Sequence, residues 1–134
     1  MTFKPLLLIS SLGLVGLLSA CAGPVPKSDP SEAWIGLQQP SSSSLLADRV
    51  DGRRVNDGRY FEVKPGAHRL QMTLLTGADG SSVEPTCMGH LQYSDFQAGE
   101  HYQINTSSEG LSASARLMDS HGKQVAQSDR FKCL

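Results

Sequence analysis

Alternation of apolar and polar side chains dominates the chain from Ala33 onward, and a helical apolar period nowhere persists for three turns. The clearest stretch is residues 67–75, where His68, Leu70, Met72 and Leu74 fall on one face and the polar residues between them on the other. A period of two with one apolar face is typical of a strand that is buried on one side and wet on the other. The sequence therefore predicts an all-β fold.

Turn dipeptides divide this region into short strands. Asp51-Gly52 and Asp57-Gly58 are predicted to supply the positive φ angles of tight hairpins, and Pro65-Gly66 favours a type II turn. Ala98-Gly99 and His121-Gly122 mark two further reversals. Turns at this spacing predict a single β-sandwich of about eight antiparallel strands. The predicted strands cover residues 34–38, 45–50, 53–55, 60–63, 67–75, 87–96, 101–105, 111–118 and, more weakly patterned, 124–127.

The first 20 residues form an apolar run in which Lys4 is the single charged side chain. The run is short and interrupted by Ser10, Ser11, Gly13 and Gly16, so it predicts a cleaved signal peptide rather than a spanning helix. It ends on Leu18-Ser19-Ala20-Cys21, which resembles the lipobox of bacterial lipoproteins. The resemblance implies cleavage before Cys21, attachment of diacylglycerol to its thiol and acylation of the new amine. A secreted protein with a coincidental cysteine is the alternative.

The residues after Cys21 predict an address and a tether. Ala22 stands where such lipoproteins carry an aspartate when they stay at the inner membrane, so the resemblance implies a lipid anchor in the outer membrane. We predict a domain that faces the periplasm, with exposure at the cell surface as the alternative. The following segment is rich in proline and predicts a flexible tether, extended at about 3.1 Å per residue. The predicted organisation is a signal peptide (1–20), a lipidated cysteine with tether (21–32) and a β-sandwich (33–134).

Two cysteines remain for the folded domain, Cys87 and Cys133. The export signal places them in an oxidising compartment, where a disulfide is the natural pairing. Closing a loop of this length contributes roughly 3 to 4 kcal/mol in the chain-entropy model. A redox pair is the alternative, but the short spacing of oxidoreductase motifs is missing. We interpret the pair as a structural disulfide.

Charge is close to balanced, with 12 basic and 13 acidic side chains in the chain. Nucleic acid is therefore not a predicted partner, because it requires a strongly basic surface. Basic residues nevertheless concentrate in residues 49–69, and Arg49, Arg53, Arg54 and Arg59 are candidates for contact with an anionic ligand or partner. The alternative is a solvated strand edge whose charges oppose edge-to-edge pairing.

The segment from Val50-Asp51-Gly52-Arg53-Arg54-Val55 through Gly58 to Leu70 is similar to the PEGA-type β-sandwich modules of bacterial envelope proteins. It also resembles small lipoprotein families of unknown function. The shared features are a hairpin at Asp51-Gly52, an aromatic strand and a Pro65-Gly66 turn followed by an alternating strand. The resemblance covers about the middle third of the mature chain, and it implies the fold and the envelope setting rather than an activity.

Sequence signatures of catalysis are missing from the chain. G-x-S-x-G, H-E-x-x-H, phosphate-binding glycine loops and closely spaced Cys/His ligand sets do not occur. The four histidines are scattered singly, and Asp79 and Glu84 flank a loop rich in glycine and serine that we interpret as a flexible connection. We therefore predict no catalytic residues, no metal ligands and no cofactor.

Three classes of function remain. The first is a non-catalytic envelope lipoprotein, held in the membrane by its anchor, that docks onto an envelope protein, peptidoglycan or lipopolysaccharide. The alternative is a periplasmic inhibitor of a lysozyme-like hydrolase, because residues 111–116 resemble the serine-alanine-serine loop of such inhibitors, with Ala115 in place of their glycine. The third is an unrecognised hydrolase. The missing chemistry favours the first class.

Overall fold

The computed structural model describes residues 23–40, 43–76, 86–109 and 112–134. The predicted signal peptide (1–20), Cys21, Asp79 and Glu84 lie outside the described residues. All nine predicted strands are observed, together with a short tenth at the C-terminus, and the described residues contain no helix. The strands are β1 (Ala33–Leu37), β2 (Ser43–Val50), β3 (Arg53–Arg54), β4 (Tyr60–Val63), β5 (Gly66–Thr76), β6 (Thr86–Phe96), β7 (His101–Glu109), β8 (Ser112–Met118), β9 (Gln124–Gln127) and β10 (Lys132–Cys133).

The strands form two five-stranded sheets, so the predicted β-sandwich is confirmed. Sheet A has the order β4-β1-β7-β8-β9, and sheet B has the order β10-β6-β5-β2-β3. Pairing is antiparallel except between β1 and β7, which run parallel with Trp34 opposite His101. The prediction of antiparallel strands is therefore wrong at this one pair, because a strand with one buried face has the same alternation in either pairing.

The sandwich has two open sides, and a different segment of the chain covers each of them. Each segment forms backbone hydrogen bonds first with one sheet and then with the other. On one side Ala47 N donates to Gly58 O at 2.8 Å, and the chain then enters sheet A as β4. On the other side Phe131 N donates to Ala113 O at 2.8 Å before β10 pairs with β6. We call the first, closed by residues 53–63, the arginine side, and the second, closed by residues 124–134, the C-terminal side.

The core lies between the sheets and is filled from both. Phe96 of sheet B meets Tyr102 of sheet A edge to face, with ring centroids 5.1 Å apart, and Tyr93 meets Phe96 in the same way at 5.0 Å. Edge-to-face contact places the positive rim of one ring against the negative face of the next. The fully buried large side chains are Phe61, Phe96, Ile35, Leu45, Leu70, Met72, Leu91, Ile104 and Leu117.

Two β-bulges keep charged side chains out of this core. In β2, Ala47 pairs with Met72 and Arg49 with Gln71, so Asp48 is an extra residue. Strict alternation from Leu45 through Ala47 would turn Arg49 inward, and the bulge places it on the outer face. A second bulge precedes Phe96 in β6, so Phe96 is buried and Asp95 is exposed.

The predicted turns are observed with one exception. Asp51 and Gly52 have φ angles of 51° and 84°, as a type I′ hairpin requires, and Gly66 has a φ of 113°. The prediction of a positive φ at Asp57-Gly58 is wrong. There the turn is held by Asp57 Oδ1, which accepts from Arg59 N at 3.0 Å, and Gly58 lies close to the backbone of β2 instead.

Cys87 and Cys133 form a disulfide between directly paired residues of β6 and β10, which supports the predicted pairing. The bond fixes the C-terminal strand to sheet B. The disulfide therefore keeps the segment of residues 124–134 in place over the C-terminal side of the sandwich.

Candidate functional site

On the arginine side, the side chains of Asp51 and His68 form a close contact. Asp51 Oδ2 lies 2.6 Å from His68 Nδ1, while Asp51 Oδ1 accepts from Arg69 N at 2.8 Å. These bonds, with the Arg69 amide contributing most, lower the pKa of Asp51 below its usual value. The pair ties the β2–β3 hairpin to the start of β5.

An Asp–His pair is also part of many hydrolytic sites, but here the second ring nitrogen is occupied. His68 Nε2 lies 2.7 Å from the backbone oxygen of Lys64. In a nucleophilic site that nitrogen faces a hydroxyl or thiol and takes its proton. Because His68 bonds to a carbonyl at this position, the geometry is that of a structural link.

The four candidate arginines fall into two groups. Arg49 donates to Gly52 O at 3.2 Å and so supports the hairpin. Arg59 donates hydrogen bonds to the Asp57 carboxylate through Nε and Nη2, and the shortest contact is 2.6 Å. These bonds lower the pKa of Asp57 to about 2. The same pairing raises the pKa of Arg59. Arg49 and Arg59 are therefore engaged within the protein.

Arg53 and Arg54 form the second group. They make up the whole of β3 at the edge of sheet B, and both are exposed. Within the described ranges, neither side chain has a hydrogen bond or a salt bridge to another residue. Their guanidinium groups are therefore available to a partner, and such groups recognise carboxylates and phosphates in bidentate fashion.

Arg53 and Arg54 line a groove of about 690 Å³ on the arginine side. Lys64 adds a third cation, and the same lining carries the carboxylates of Asp51, Asp57, Glu32 and Glu62. Burial, followed by the contact with Glu62, raises the pKa of Glu32 above its usual value. The groove therefore combines basic and acidic side chains. Sequence patterning did not include Glu32, because it comes from the distant segment before β1.

Residues 23–32, the predicted tether, lie against sheet A, and we call them the strap. Arg59 Nη1 donates to Gly23 O at 2.9 Å, at the start of the strap. Further along, Asp29 N donates to Glu62 Oε2 at 3.2 Å, and Ser28 Oγ lies 3.3 Å from His101 Nε2. The strap therefore crosses from the arginine side to the β6–β7 turn, where Gly99 N donates to Glu32 O at 2.9 Å.

Beside the strap, the outer face of sheet A carries a stacked aromatic pair. The rings of Trp34 and Tyr60 are 4.1 Å apart and inclined by 14°. His101, which bonds to the strap, lies 6.5 Å from Trp34. His101 thus links the aromatic pair to the strap, through its position near Trp34 and its contact with Ser28.

A smaller cavity of about 280 Å³ lies on the other half of sheet A, where Ser112, Ser114, Arg116 and Arg130 contribute to its wall. Residues 112–116, whose sequence suggested an inhibitor loop, are part of strand β8 and pair with β7 along their whole length. On the other edge Arg116 pairs with β9, and Ala113 O and Ala115 O accept from Phe131 N and Ser128 N. The interpretation of this stretch as an alternating strand is therefore the one the structure bears out.

Neither a metal cluster nor a membrane-crossing helix is found in the part of the chain that the structure describes. No three His, Cys, Asp or Glu side chains converge there in a metal-holding arrangement. No described helix is long and apolar enough to cross a bilayer. Cys21, the predicted lipidation site, lies outside the described residues.

Comparison with known proteins adds no relative to this picture. The chain matches no protein-family model, and comparisons with curated proteins and with solved structures return no significant match. The PEGA-like and lipobox resemblances therefore stay predictions from the sequence, and the fold defines the protein as a small, disulfide-bonded β-sandwich.

Proposed function

We propose that this protein is a non-catalytic lipoprotein of the bacterial outer membrane, anchored through Cys21 and facing the periplasm, which acts by binding through its arginine side. Its partner is an envelope component that carries anionic groups. The proposal joins the lipobox-like residues 18–21 to Arg53 and Arg54, whose guanidinium groups bond to none of the residues that the structure describes.

The observation that carries the binding role is the state of Arg53 and Arg54. Both are exposed on a two-residue edge strand, both line the same groove, and neither is engaged by the described residues. Edge charges that only oppose aggregation need no groove. Two exposed arginines that line one concave surface favour a bound anion.

The absence of catalysis is supported by the contacts of His68. An Asp–His pair takes part in catalysis when the histidine nitrogen that does not face the aspartate lies next to a nucleophile. In His68 this nitrogen, Nε2, lies 2.7 Å from the carbonyl oxygen of Lys64. The pair instead fixes the hairpin that presents Arg53 and Arg54.

In-cell crosslinking of the full-length protein tests the binding role. We expect wild type to yield a defined envelope adduct, and Arg53→Glu/Arg54→Glu to lose it. The matched control is Arg130→Glu/Lys132→Glu, which makes the same charge change at exposed positions on the C-terminal side. Equal adducts in wild type and both variants would refute binding through the arginine side.

Anchoring is tested separately with Cys21→Ser. We expect this variant to leave the membrane fraction and to lose the acyl mass on the N-terminal peptide. Unchanged membrane partition and unchanged peptide mass would refute lipidation. Cys21 lies outside the β-sandwich, so we expect the variant to fold. Circular dichroism checks this.

A further inference from the structure

We propose that the surface bound by the arginine side is the protein's own membrane: the sandwich lies on the bilayer with Arg53 and Arg54 against the phosphates of anionic phospholipids. The inference rests on the proposed lipid anchor at Cys21 and deepens it by naming the partner of the groove. It follows from where the strap begins, and from what else is exposed there.

The strap leaves almost no free chain between anchor and domain. Arg59 donates to the carbonyl oxygen of Gly23, the first described residue, which is two positions after Cys21 in the sequence. Fully extended, two residues span about 7 Å. A free tether from Cys21 to Glu32 would let the domain stand tens of ångströms away, but the docked strap brings the arginine side to the headgroup layer.

Exposed apolar side chains occur on the same side. Val25 of the strap is 48% exposed, and Leu46, which lies beside Gly58, is 37% exposed. They are two of the four large hydrophobic residues exposed among the described residues. Apolar side chains next to arginines and an acyl anchor are the combination that lies in a membrane interface.

Charge on this side also fits an anionic surface. Asp57 is neutralised by Arg59, whereas Arg53 and Arg54 have no acidic partner in the described ranges. Three further carboxylates line the same groove: Asp51 bonds to His68, Glu62 accepts from Asp29 N, and Glu32 lies beside Glu62. Basic residues close to a membrane are attracted by its anionic lipids over about one Debye length, so the short distance to the anchor is essential.

Photocrosslinking to lipid tests this orientation. Benzoylphenylalanine replaces exposed Asn56 on the arginine side or, as the matched position, exposed Gln127 on the C-terminal side of the full-length lipidated protein. The proteins are reconstituted in vesicles made of equal parts phosphatidylglycerol and phosphatidylcholine. We expect lipid adducts several-fold more abundant at position 56 than at position 127, measured by mass spectrometry.

Charge reversal then tests whether Arg53 and Arg54 bind the lipid headgroups or whether position 56 is merely close to the bilayer. Arg53→Glu/Arg54→Glu is expected to reduce the adduct at position 56 several-fold, and Arg130→Glu/Lys132→Glu to leave it unchanged. Pure phosphatidylcholine vesicles should reduce it in wild type as well. Equal adducts at both positions, or no effect of charge reversal, would overturn the inference.

The outcome also distinguishes this inference from the proposed function. If the N-terminal peptide carries no acyl chains, the anchor itself fails. If it carries them, but position 56 crosslinks in cells to a protein and not to lipid, the anchor and the binding role stand while the membrane contact is wrong.

Discussion

Gly89 determines how closely the C-terminal segment approaches sheet B. A Cβ built at this position would overlap the ring of Phe131, and that ring is 5% exposed. Phe131 is therefore seated directly on the backbone of β6, where only glycine leaves room for it. This single contact completes the core at the C-terminal side.

Gly89→Ala is expected to destabilise the protein by about 1–3 kcal/mol, because the ring must move away from its site. Urea unfolding followed by circular dichroism measures the change. The control is Gly36→Ala in β1, where the nearest atom to an added Cβ is Tyr102 O at 3.9 Å. Equal losses in the two variants would contradict the proposed contact.

Asp57 gives the protein an acid-sensitive contact. Its pKa falls from 3.8 to about 2 on folding, because Arg59 bonds to its ionised form. A lowered pKa means that the contribution is complete above pH 3.8 and is lost as the pH falls through about 2.

We expect the midpoint of urea unfolding to fall as the pH is lowered across this range, and to fall less steeply in Asp57→Asn. Asp51, whose pKa is also lowered, adds a loss in the same direction that the variant retains. An Asp57→Asn protein with the same acid dependence as wild type would show that the pair does not contribute.

The strap shows how an element without secondary structure is positioned. Its proline-rich composition predicts an extended, mobile tether, yet its ends are bonded to Arg59 and to the β6–β7 turn. Composition describes the free chain, whereas docking depends on partners that lie far away in sequence.

Arg59→Ala is expected to loosen the start of the strap and to accelerate tryptic cleavage after Lys27. The time course of the peptide that begins at Ser28, followed by mass spectrometry, measures the effect. Arg54→Ala is the control, since Arg54 has no contact with the strap among those described. Cleavage after Lys27 at the same rate in wild type and Arg59→Ala would mean that this bond does not hold the strap.

At the scale of the whole molecule, the sandwich is closed on both sides by segments that change sheets. On the C-terminal side, Ser128 N and Phe131 N bond to β8, and the Cys87–Cys133 disulfide joins the segment to β6. Closure leaves few free strand edges for contact with other chains.

Reduction of the disulfide is expected to cost about 4 kcal/mol, since it closes a loop with a sequence separation of 46. The free energy of unfolding of oxidised protein is compared with that of reduced, alkylated protein. A difference below about 1 kcal/mol would show that β10 is held by packing rather than by the crosslink. Alkylation before reduction is the control: two modified cysteines in native mature protein would mean that the bond is absent.

Sequence periodicity predicted most of this fold because a half-buried strand imposes a period of two wherever it occurs. It identified nine strands, four of the five glycine turns and the cysteine pair. It missed β10, because two residues show no period, and it assigned Gly58 a positive φ that the structure does not have. For the candidate site it found the basic stretch that contains Arg53 and Arg54, but it did not place Glu32 beside them in the groove.

The sequence by itself determined the all-β class, the hairpin at Asp51-Gly52 and the core face of β5, since each depends on side chains that are close together in the chain. Only the tertiary structure decided which arginines are engaged, because Arg59 and Arg53 look alike in sequence until Asp57 and Gly23 bond to Arg59. The bulge at Asp48, the parallel β1–β7 pair and the docked strap are likewise long-range choices. These features depend on hydrogen bonds and packing between segments that are far apart in the chain. A local sequence pattern cannot predict them, because it contains no information on which distant segment will be the partner.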